Sequence, residues 1–134
     1  MKANVKWIQK MQLMGTSETG HGVLMDGDRE GIAASPMEVV LMGMGACSTI
    51  DVVDILETGR QNVTDCEVQL SSIRAEEPPR VFEQINAHFV VSGVDLNEKK
   101  VKRAVELSME KYCSVAKMLE KAAKITFSFE IIAA

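Results

Sequence analysis

Cysteine and histidine are few and poorly spaced for metal. Cys47, Cys66, Cys113, His21 and His88 supply no C-x-x-C or H-x-x-H pair, so neither a metal site nor a bound cofactor is expected. Lysine and arginine never gather into a run long enough to follow a phosphate backbone. The densest stretch, "NEKKVKR" over residues 97–103, reads as the wet face of a helix, and with a formal net charge of −4 this argues against nucleic acid as a partner. The first ten residues, "MKANVKWIQK", alternate charged and apolar side chains and lack the apolar run of a signal peptide or a membrane span. A cytoplasmic protein without a membrane partner is the expectation. Three cysteines in a reducing compartment do not make a disulfide scaffold, which leaves them redox chemistry, catalysis or no chemistry at all.

What is present suits one ordinary domain over residues 1–134: 46% hydrophobic residues and 25% charged ones, with both signs interspersed. Up to Met25 the chain alternates apolar and polar residues in short runs broken by Gly15, Gly20 and Gly22, which predicts short antiparallel strands. Residues 26–36, "DGDREGIAASP", have no period and form a loop. A helix then opens with Ser35 as N-cap, Pro36 in the first position and Glu38 completing a capping box, and it closes at Gly59. Its first half is apolar all round, as a helix buried on every side must be, while Asp51, Asp54 and Glu57 mark a wet stripe on the second. Gly43 and Gly45 inside it point to close approach by another element.

Two alternating strands follow, joined at "EEPPR", with Cys66 in phase with Val68 and Leu70, and His88 on the polar side. Both Cys66 and His88, like His21 in its glycine turn, are read as structural or surface residues. Asp95 and Glu98 suggest a second capping box opening a helical stretch with Val101, Ala104, Val105 and Ser108 on one side. A break near residues 111–113 would divide it into two helices before a last strand, "KITFSFEII". The order makes an α+β fold with a mostly antiparallel sheet.

Two cysteines stand out. At about 100° per residue, Cys47 falls on the seam where the dry half of the first helix meets its wet half, reachable from a cleft, with Asp51 and Asp54 on the same side opposing a thiolate. Cys113 sits either at the start of a new helix, where backbone N–H groups favour a thiolate, or on the buried stripe of an unbroken one.

The stretches "SPMEVVLMGMGACSTIDVV" (residues 35–53) and "RAVELSMEKYCSVAKML" (residues 103–119) resemble the two cysteine motifs of the OsmC/Ohr family of thiol-dependent peroxidases, and are closest to its YhfA-like branch. The resemblance covers nearly the whole chain. It implies an OsmC-like fold with a buried central helix and a second helical pair, in an intertwined homodimer with each site at the subunit interface. It further implies that Cys47 attacks an organic hydroperoxide and Cys113 closes a disulfide that a dithiol such as dihydrolipoamide reduces. An arginine, here Arg29, would favour the thiolate, and a glutamate, here Glu38, would hold the arginine. The family glutamate directly follows the proline, whereas here Met37 does and Glu38 comes next, pointing about 180° from Cys47 by helical count. The other reading is a non-catalytic dimeric module that keeps the scaffold and binds a small apolar ligand in stress response.

Overall fold

The computed structural model describes residues 1–134. They form two compact units, residues 1–42 and 43–134, with the boundary inside the long helix. In the first unit, β1 (Ala3–Gln9), β2 (Gln12–Ser17) and β3 (Gly22–Asp26) make an antiparallel sheet in chain order. A two-residue turn with Lys10 at φ 48° and a turn with Gly20 at φ 88° allow each strand to fold directly back on the last. The expected loop follows, and α1 (Pro36–Thr58) begins at the expected capping box: the Ser35 N–H donates to Glu38 Oε1 at 3.0 Å, and the Glu38 N–H to Ser35 Oγ at 3.2 Å.

Helix α1 has the length and apolar composition to cross a bilayer, yet its buried residues Met44, Gly45, Ser48, Val52 and Leu56 form one stripe within the second unit. The burial on every side expected of its first half is therefore not met within one chain: Val40 and Met42 remain exposed, as does Ile50 further on. Gly45 does mark a close approach. A Cβ there would stand 2.6 Å from Leu70 Cδ1 and 3.1 Å from Val68 Cγ1, so the helix lies against the sheet with no room for a side chain. Gly43, by contrast, meets nothing within 4 Å. At the helix end the left-handed residue is Arg60, at φ 60°, rather than Gly59, whose N–H still bonds to Ile55 as another helical turn would.

The second unit holds the sheet β4 (Asn62–Arg74), β5 (Phe82–Val94) and β6 (Lys124–Ala133). Strands β4 and β5 form the expected hairpin, with Ile85, Ala87, Phe89 and Val91 buried on one face. Strand β6 pairs with β5 in parallel, an exception in a fold whose other pairings are antiparallel as expected. The reason is the connection: α2 (Glu98–Leu107), a π-helical turn (Ser108–Tyr112) and α3 (Ser114–Leu119) cross over one face and return the chain to the end where β5 began. Helix α2 is capped by Asn97, whose side chain accepts from the Lys100 N–H at 3.1 Å, and not by Asp95. Asp95 turns the chain out of β5 at φ 51°, so the next Asx residue takes the cap.

Where β5 ends, a methyl on buried Gly93 would collide with the Asn62 carbonyl oxygen and crowd both Leu96 methyls at 2.8 and 2.9 Å. Gly93→Ala is expected to lower the unfolding free energy by about 1–3 kcal/mol, read from urea denaturation. An unchanged midpoint would show that the start of β4 can give way.

Candidate functional site

Cys47 lies midway along α1, half-buried, as its position between dry and wet faces suggests. Cys113 is fully buried at the break in the crossover. The chain leaves the π-helical turn there in extended backbone, and Cys113 becomes the N-cap of α3, its sulfur accepting from the Ala116 N–H at 3.4 Å. Of the two conformations open from the sequence, the structure adopts the break. The Cys113 thiol donates to the Met44 carbonyl oxygen at 3.8 Å, and the Cys47 side chain is near enough to act on its proton. The structure thus brings the two thiols together across 66 positions of sequence, which periodicity could not do.

Their environments differ. Burial pushes the Cys113 thiol up to about 11; the neighbouring Cys47 adds to the rise, and N–H donors from Ala116 and Val115 oppose it. Cys113 is therefore held as a neutral thiol, with the more accessible Cys47 as its neighbour.

A polar cluster lies under this pair. Ser108, fully buried, directs its hydroxyl to Asp51 Oδ2 at 2.9 Å and to the Ser48 carbonyl oxygen at 3.1 Å. Ser48 Oγ, also buried, donates to the Gly45 carbonyl oxygen at 3.1 Å. Asp51 is accordingly engaged by a hydroxyl rather than being only a wet-face carboxylate. Beyond it an open cleft of about 460 Å³ is lined by Asp51, Asp54, Ile55, Thr58 and Tyr112. The sequence signal for the cluster was a single serine in line with the apolar residues Val101, Ala104 and Val105.

Arg29 and Glu38 belong to the first unit. Arg29 is exposed on a loop ordered by the buried carboxylate of Asp26, which accepts from the Asp28 N–H at 2.8 Å and the Ile32 N–H at 3.1 Å. Glu38 is held by Ser35, whose backbone N–H and hydroxyl keep its carboxyl below the usual range. The two do not form an ion pair with each other. Cys66 is half-buried in β4, where burial and then Asp65 raise its thiol. His88 hydrogen-bonds Ser128 at 2.7 Å and faces Glu130 at 3.3 Å, and His21 lies exposed beside Thr19.

Because the ordinary thiol value is 9.0 and that of folded Cys113 is raised to about 11, the folded chain keeps this proton longer than the unfolded one. The stability that follows is complete below pH 9 and is lost as pH rises through about 11. Denaturant unfolding over that window should show the wild-type curve falling more steeply than that of Cys113→Ala. Parallel curves would mean that the thiol is not shielded.

A family model described as OsmC-like protein matches residues 27–128. Protein YhfA of Escherichia coli (strain K12) is 58% identical over 134 residues, covering all of both chains. An OsmC-like protein from Mycoplasma pneumoniae superposes with a TM-score of 0.86 at 13% identity, over 98% of this chain and 96% of that one. The organic hydroperoxide resistance protein OhrB of Bacillus subtilis gives 0.65 at 18% identity, over 97% and 98%. At such identities the likeness is one of fold, whereas the family match and the full-length relative carry the assignment: the chain belongs to the OsmC-like family.

Proposed function

We propose that the protein reduces organic hydroperoxides, with Cys47 as the attacking thiol and Cys113 as its resolving partner. The observation that carries this reading is the apposition of a half-exposed thiol and a fully buried one. The Cys47 thiolate attacks the outer peroxide oxygen, the O–O bond breaks, and the alcohol leaves with one proton taken up. Cys47 is then a sulfenic acid. Cys113 condenses with it to a disulfide, and an external dithiol such as dihydrolipoamide restores both thiols. Arg29 is assigned the role of favouring the thiolate and Glu38 that of holding Arg29, which requires Glu38 to reach beyond its bond to Ser35.

The working form is a cytoplasmic homodimer. Val40, Met42 and Ile50 on α1, and Val5, Trp7 and Ile8 on β1, expose large apolar side chains that a second copy would cover. Light scattering on the purified protein is expected to give twice the 14.7 kDa chain mass, and a monomer would count against the dimer.

Cumene hydroperoxide added to reduced protein should yield a Cys47–Cys113 disulfide by mass spectrometry, with turnover abolished in Cys47→Ser. A chain that stays reduced, or a Cys47→Ser variant with unchanged turnover, would overturn the reading. The capped state of Glu38 favours one alternative, a non-catalytic module for a small apolar ligand. That module would show ligand-dependent thermal stabilisation without peroxide consumption.

A further inference from the structure

Ser108 occupies an unusual junction. Its backbone N–H closes α2 on Ala104 and Val105, and its carbonyl oxygen accepts from the Cys113 N–H at 2.7 Å, five residues on. This i to i+5 bond makes the turn π-helical and sets Cys113 one position beyond where an α-helical turn would end. The same residue's hydroxyl, itself fully buried, is directed to the Ser48 carbonyl oxygen and to Asp51 of α1, which borders the cleft. Ser48 is the residue after Cys47, and Asp51 lies one turn further on. One side chain therefore joins the backbone that carries the first cysteine to the backbone that carries the second.

We propose that Ser108, hydrogen-bonded to Asp51, is a positioning residue that sets Cys113 in register with Cys47 and so governs closure of the disulfide. This rests on the dithiol reading above, and extends it to a residue that touches neither peroxide nor sulfur. In the step concerned, the Cys113 sulfur bonds to the Cys47 sulfur as the S–O bond of the sulfenic acid breaks. The hydroxyl leaves as water with the Cys113 proton; Cys47 is reduced and Cys113 oxidised. The closing rate depends on how much of the time the two sulfurs stand in line, because a buried thiol held neutral has little intrinsic reactivity with which to offset poor placement. With excess peroxide, slow closure leaves the sulfenic acid exposed to further oxidation.

The test compares wild type with Ser108→Ala, Asp51→Ala and Asp51→Asn, the last keeping an oxygen acceptor of the same reach. The first readout is the equilibrium between dithiol and Cys47–Cys113 disulfide in mixtures of oxidised and reduced glutathione, which needs no peroxidase activity. Ser108→Ala and Asp51→Ala should lower the disulfide equilibrium constant about tenfold, and Asp51→Asn should stay close to wild type. The second is mass spectrometry after cumene hydroperoxide, where the first two variants should accumulate Cys47 sulfinic acid while their initial loss of Cys47 thiol matches wild type. Wild-type behaviour of both alanine variants would overturn the proposal, as would Asp51→Asn falling as far as Asp51→Ala. If wild type forms the disulfide with glutathione but not with hydroperoxide, the peroxidase reading fails and the glutathione equilibria still decide the role of Ser108. If it forms the disulfide with neither, both fall.

Discussion

The close contact between α1 and β4 at Gly45 sets much of the second unit. A helix of this apolar content must find a surface to lie on, and absence of a side chain at Gly45 lets it settle onto Leu70 and Val68. With that distance set, Met44, Ser48 and Val52 have fixed neighbours, and the crossover carrying α2 and α3 must pass over what remains of the sheet face. The carbonyl oxygen of Met44 and the sulfur of Cys47 are then presented to the crossover at the point where it breaks.

That arrangement places chemically identical groups in different surroundings. Cys47 borders solvent on a helix whose backbone is complete on both sides, whereas Cys113 is enclosed and sits where backbone regularity changes from π-helical to extended to α-helical. The same change supplies the Ala116 N–H to the Cys113 sulfur, offsetting part of what burial does to it. Placement alone thus gives two identical side chains different access to solvent and different tendencies to lose a proton.

Local features were readable in the sequence because their causes are local. Ser35 and Glu38 are three residues apart and bond as a capping box should; the alternation of Ile85, Ala87, Phe89 and Val91 reports one buried face. Misreadings arose where a distant element decides. Nothing near Asp95 shows that the chain turns left-handed there and passes the cap to Asn97. The direction of β6, on which the sequence was silent, follows from where a crossover deposits it, since alternation alone does not distinguish parallel from antiparallel pairing. For the site, periodicity placed Cys47 at a boundary, and family resemblance rather than spacing supplied Cys113 as its partner. Ser108 was visible as a polar residue in an apolar stripe, but its acceptors lie 57 and 60 positions away, and no pattern within one helix encodes them.

The 66 positions between Cys47 and Cys113 have a consequence for the life of the molecule. A bond between them would close a loop embracing half the chain and remove roughly 4 kcal/mol of chain entropy from the unfolded state. The oxidised form would then resist unfolding, and with it proteolysis, far better than the reduced form. The spent molecule would be the durable one, surviving until a reductant returns it to service, and the price of being ready would be a shorter expected lifetime.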